Sequence, residues 1–119
     1  MFLRSEMPPL IEATFKQALE LCQLKGGEYS GDKDALANFR RNGQDCDLPM
    51  ETIWRVYAGK HWDAVTQYVK DKQQGVQRTR LESIEGRVDD LIVYLILFKA
   101  MLTEAATANS TQAVKEYWR

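Results

Sequence analysis

Residues 81–106 read LESIEGRVDDLIVYLILFKAMLTEAA, and their spacing decides the fold. Ile84, Val88, Leu91, Leu95, Phe98 and Leu102 recur at intervals of three and four, which is the period of an α-helix and not of a strand. Over 91–98 the chain is apolar on every side. A helix without a polar face is buried all round, so this run predicts the middle of a bundle or a subunit interface. Before it, Glu82, Glu85 and Asp89 lie three and then four apart. On a helix they make one stripe, continued by Ile92 and Ile96.

The same period recurs outward from this segment. Leu10, Ile11, Ala13, Phe15, Ala18, Leu19 and Cys22 predict a first helix, with Pro8 and Pro9 in its first turn and Gly26-Gly27 as its stop. Residues 1–7 read as a loose arm. Asp32 or Asp34 would cap a short helix carrying Ala35, Leu36 and Phe39, broken at Asn42-Gly43. Pro49 opens a third helix to Asp71, with Ile53, Trp54, Val56, Tyr57, Ala58, Val65, Tyr68 and Val69 as its apolar set. Gly59 inside it would permit close packing. Residues 72–80 form a polar connection. Residues 107–112 break the pattern, and 113–119 form a short C-terminal helix or tail. The expectation is an all-α, single-domain chain over 1–119: a helical bundle of four main helices, oligomeric through its apolar fourth helix.

Composition narrows the functional classes. Lys plus Arg is 16 against 17 Asp plus Glu, so there is no basic footprint for nucleic acid. Hydrophobic residues are 45%, enough for a core, while 7 Gly and 3 Pro are too few for a many-turned β fold. Cys22 and Cys46 make no disulfide framework, and with the single His61 they make no zinc set. Pro8 and Pro9 interrupt any signal-peptide pattern. The run 91–98 is far short of the roughly 20 residues that span a bilayer. These features predict a soluble protein of a reducing compartment, with neither nucleic acid nor membrane as partner.

Three constellations carry possible chemistry. The row Glu82, Glu85, Asp89 repels itself by a few tenths of a kcal/mol per pair, and Mg²⁺ would relieve it through carboxylate oxygens. Alternatively, these are helix-start acids favoured by the macrodipole and neutralised by Arg80 or Arg87. Lys25-Gly26-Gly27-Glu28-Tyr29 places a Lys and an acid together at a helix end; it is otherwise an ordinary cap. Lys60-His61 shares a helix with Trp54, Tyr57 and Trp62, an arrangement able to stack a base and hold phosphate, or else a core histidine beside a snorkelling lysine.

In order, Lys25-x-x-Glu28-Tyr29, Asn38-Phe39, Lys60-His61, Glu82-Ser83-Ile84 and then Asp90-Leu91 with Tyr94 resemble a known family. Residues 10–102 look like phage-type members of the all-α nucleoside triphosphate pyrophosphatases, the MazG-like group, and in particular its small nucleotide-modification-associated domain proteins. The resemblance implies an oligomeric helical bundle with an acidic Mg²⁺ site that holds a nucleotide triphosphate. In enzymatic members, water attacks the phosphate chain and releases pyrophosphate. By position, Glu28, Glu82 and Asp90 would be metal or water ligands, with Glu28 and Glu82 the catalytic candidates. Lys25 and Lys60 would meet phosphate, while Tyr29, Asn38 and His61 would line the nucleotide pocket.

The sequence departs from that pattern. Gly86 stands one turn after Glu82 where relatives carry an acid, and over 49–71 only Glu51, Asp63 and Asp71 are acidic. Glu85 and Asp89 would compensate as metal ligands; Asp90 lies about 100° round the helix from Asp89. These departures weigh on catalysis more than on binding. Three functions follow as expectations: Mg²⁺-dependent hydrolysis of a (d)NTP to monophosphate and pyrophosphate, sequestration of a nucleotide or nucleotide-derived signal without turnover, or a helical interaction module.

Overall fold

A computed structural model describes residues 1–30 and 33–108, with the side chains of 25–30 outside the description. Every regular element among the described residues is helical: a 3₁₀ turn at Arg4–Glu6, then α1 (Met7–Ser30), α2 (Ala37–Cys46), α3 (Met50–Gln74) and α4 (Ile84–Ala108). α3 and α4 form the central antiparallel pair; α2 packs on α3, and α1 on α4.

The core sits where α2 crosses that pair. Leu36, Phe39, Ile53 and Met101 are buried together, with Trp54, Tyr94 and Phe98 packed around them. Trp54 lies 4.7 Å from Phe98 between ring centroids, and Phe39 meets Tyr94 edge-on at 6.3 Å. Each aromatic pair contributes about 0.5–1.5 kcal/mol beyond its buried area. The Trp54 indole N–H donates to the Tyr94 carbonyl at 2.7 Å, which gives the polar end of a half-buried ring its partner.

The helices run further than their expected punctuation. Residues 1–7 are not a loose arm throughout, because the chain turns at Arg4–Glu6 and enters α1 at Met7. Gly26-Gly27 does not stop α1, which continues to Ser30. Glycine costs about 1 kcal/mol in a helix but does not forbid one. Asn42-Gly43 likewise lies inside α2. Asn42 spends its side-chain amide on the Asn38 carbonyl at 2.7 Å, and α2 ends instead at Asp47 in the left-handed region, φ 56°. α3 runs past Asp71 to Gln74, and Gly75 with a φ of 67° makes the αL cap. α4 begins at Ile84 and not at Leu81, because Ser83 Oγ accepts from the Gly86 N–H at 3.0 Å and caps it. A Cβ on Gly59 would meet the Arg55 guanidinium of the same helix at 2.6 Å. The C-terminal helix expected over 113–119 lies outside the described residues.

α4 is not buried all round. Met101 is its one buried residue, while Val88, Leu95 and Ile96 are exposed. Reading the run 91–98 alone understated this element: the whole helix is long and apolar enough to cross a membrane, by length and composition.

Two glycines are tied to backbone geometry. A Cβ on Gly43 would lie 2.7 Å from the Leu48 carbonyl oxygen, so backbone must shift. We expect Gly43→Ala to cost about 1–3 kcal/mol and Gly75→Ala, which meets only left-handed strain, about 1 kcal/mol. Urea denaturation measures both; an unaffected Gly43→Ala would contradict the close approach.

Candidate functional site

The α3–α4 register brings His61 against Asp90, Arg87 and Tyr94. His61 is only 6% exposed. Arg87 donates an Nη1 hydrogen to His61 Nδ1 at 3.1 Å, and Asp90 Oδ2 lies 3.7 Å from the same nitrogen. Accepting at Nδ1 makes this the neutral tautomer with its proton on Nε2. Burial pushes the His61 pKa down, and Lys60 and Arg87 act in the same direction against the opposing field of Asp90 and Glu82. Tyr94 flanks the imidazole at 5.3 Å between centroids. On its far side Arg87 Nε reaches Glu82 Oε2 at 3.3 Å. Arg87 thus bridges a buried imidazole and an exposed carboxylate, and these contacts use two of its five donors.

The expected site residues divide accordingly. His61, Asp90 and Glu82 come together around Arg87, and Phe39 brings α2, the helix of Asn38, to the same Tyr94 ring. Lys60 is exposed and one residue from His61, hence about 100° round α3. Glu82 does not share a helical stripe with Glu85 and Asp89, because it precedes the Ser83 cap. Glu85 is exposed and Asp89 half-buried. Among the described residues no three His, Cys, Asp or Glu side chains gather as a metal-binding group. Lys25, Glu28 and Tyr29 have side chains outside the description. The acid row therefore does not assemble as a row; the residue facing the seam is Asp90, which lies off it.

Arg87 is the member that motif reading undervalued, as a mere counter-charge to the acids. Its signal was legible in the spacing: residues 87, 90 and 94 share one helical face.

A second polar cluster closes the α3–α4 connection. Asp71 is 2% exposed. Its carboxylate accepts from Arg78 Nε and Nη2 at 2.8 and 3.0 Å, from Arg80 Nη2 at 2.8 Å and from Gln67 at 2.9 Å. The Arg78 and Gln67 hydrogen bonds hold Asp71 at a pKa of about 2. Arg80 also lies over the Tyr68 ring at 5.1 Å. This staple ties the loop down ahead of Glu82 and Arg87, and its arginines stood in the sequence as an exposed connection.

Comparison with protein-family models, with curated proteins and with solved structures returned no match.

His61 sets a pH dependence. Its folded pKa lies below its unfolded value of about 6.5. The unfolded chain therefore binds more protons below that pH, so stability is full above about 6.5 and falls on acidification. Asp71, already ionised down to about pH 2, adds no slope between pH 5 and 7. We expect the thermal midpoint to drop from pH 7 to pH 5 and the drop to shrink in His61→Gln. Equal slopes in the two proteins would refute the assignment.

Proposed function

We propose that this chain is a helical nucleotide-binding protein that holds its ligand at the α3–α4 seam without turning it over. The observation that carries the reading is Arg87, half-buried and fixed between His61 and Glu82. A pre-positioned guanidinium is suited to the planar, bidentate recognition of phosphate. Lys60 next along α3 adds an exposed cation, and the exposed Trp62 ring beside His61 offers a face for a base. The order of motifs over residues 10–102, with its resemblance to nucleotide pyrophosphatases, supports a nucleotide in preference to other anions.

The same geometry weighs against an Mg²⁺ ion held by Glu82 and Asp90. Mg²⁺ is bound through carboxylate oxygens that approach it directly. Glu82 faces Arg87 and Asp90 faces His61, so each carboxylate already lies toward a nitrogen group. With these two carboxylates directed at nitrogen groups, no hydrolytic step is assigned to them.

The test is incubation of the protein with ribo- and deoxynucleoside triphosphates and cyclic nucleotides, with and without Mg²⁺, followed by chromatography before and after denaturation. We expect one nucleotide to leave the free pool, return whole on denaturation, and bind without Mg²⁺. Arg87→Ala should weaken that binding at least about tenfold, as loss of a charge-assisted hydrogen bond does. Monophosphate and pyrophosphate appearing with Mg²⁺ would establish the hydrolase instead. No nucleotide that raises the melting temperature would leave an interaction module, since a ligand of the folded state must raise it.

A further inference from the structure

The turn from α3 to α4 forms a cavity of about 220 Å³, away from the His61 seam. Asp71 in its wall stands ten residues beyond His61 on α3, hence about 15 Å along the helix. The walls carry three cations, Lys72, Arg78 and Arg80, and one acid, Asp71. Pockets for drug-sized ligands start at roughly 300 Å³, so this one admits a small anionic group and not a whole nucleotide.

Asp71 orients the two arginines without using them up. Arg78 gives it the edge made by Nε and Nη2. Arg80 gives it Nη2 and turns Nη1 to the Arg78 carbonyl at 3.3 Å. A guanidinium has five N–H donors, so each arginine keeps three that no described residue takes. On Arg78 these include the end formed by Nη1 and Nη2, a second bidentate edge, and that side chain is 49% exposed. Lys72 Nζ stands 5.7 Å from the centroid of Tyr68, the ring that Arg80 also covers.

The local charge does not balance. Cations beside a helix C-terminus are ordinarily accounted for by the macrodipole, which supplies about half a negative charge. Asp71 supplies one more. Against three cations this leaves roughly one and a half positive charges at the cavity, in a chain whose net charge is -1. A carboxylate or a phosphodiester brings a single negative charge, whereas a phosphate monoester brings about 1.5 to 2 at pH 7.

We propose that this cavity binds a phosphate monoester group. Arg78 meets it end-on, Arg80 and Lys72 meet its remaining oxygens, and Asp71 holds both guanidiniums in place from behind. The site is separate from the nucleotide seam and does not depend on Arg87.

Heteronuclear NMR titration of the nitrogen-labelled full chain at low ionic strength tests the proposal, and the spectrum itself follows the fold. The probes are phenyl phosphate, inorganic phosphate, dimethyl phosphate and acetate. We expect phenyl phosphate to shift the amides of residues 75–80 to saturation, with an affinity at least about tenfold above those of dimethyl phosphate and acetate. Inorganic phosphate binding there equally well would assign the free ion, and binding more weakly an ester; both support the site. Arg78→Gln should weaken phenyl phosphate at least about tenfold, as loss of charge-assisted hydrogen bonds does. Lys72→Gln takes no hydrogen bond from Asp71 and should weaken it at least about threefold, which decides the matter even if Arg78→Gln fails to fold. Lys70→Gln, exposed and outside the cavity, should leave the affinity unchanged. The proposal is overturned if phenyl phosphate shifts nothing at 75–80 up to about 20 mM, or if dimethyl phosphate or acetate binds there as tightly. It is also overturned if Arg87→Ala removes the shifts while Arg78→Gln and Lys72→Gln keep them, which would place the phosphate at the seam.

Discussion

The Trp54 indole, donating to the Tyr94 carbonyl with its ring on Phe98, fixes the register of α3 on α4. Seven residues further along α3 stands His61, and seven back along α4 stands Arg87. Two turns away from the indole bond, in an antiparallel pair, those two side chains must meet, and they do at 3.1 Å. Phe39 enters the same seam from α2 against Tyr94. The apolar lock and the polar cluster are two levels of one helix pairing, so a slip of α4 by one residue would turn Arg87, Asp90 and Tyr94 away together.

The polar groups at this seam account for one another. An isolated charge placed in such a position would be costly. Here a neutral imidazole accepts from Arg87, whose charge is met by Glu82, while Asp90 lies 3.7 Å from the same imidazole nitrogen. The Asp71 staple solves the same problem at the end of α3 by surrounding one carboxylate with two guanidiniums and an amide. Because the staple holds the connection, α4 starts from a fixed point, and Ser83 caps it there. The chain thus holds these charges in place from both ends of the loop.

The apolar surface is less complete. Leu36, Phe39, Ile53 and Met101 make a small core, and no large side chain among the described residues is fully buried. Half of α1 and one side of α4 carry apolar groups that no described residue covers. Such surplus is unusual on a monomer of this size. The polar groups of the described residues thus gather at the α3–α4 seam, while much of the apolar surface lies exposed on α1 and α4.

Sequence alone determined that the chain is helical, because period 3.6 survives in any packing and four segments share it. It also put Phe39, Ile53 and Trp54 in apolar sets and singled out His61. It misjudged punctuation at Gly26-Gly27 and Asn42-Gly43, where a local penalty of about 1 kcal/mol yields to continued helix. It read Glu82, Glu85 and Asp89 as one stripe because it could not see Ser83 taking the cap and placing Glu82 outside the helix. Which acid faces His61, and that Arg87 stands between them, depended on how α3 lies along α4. Helical period gives the faces of each helix, but which faces meet is set by the long-range packing of Trp54 on Tyr94 and Phe98, and that only the tertiary structure decided.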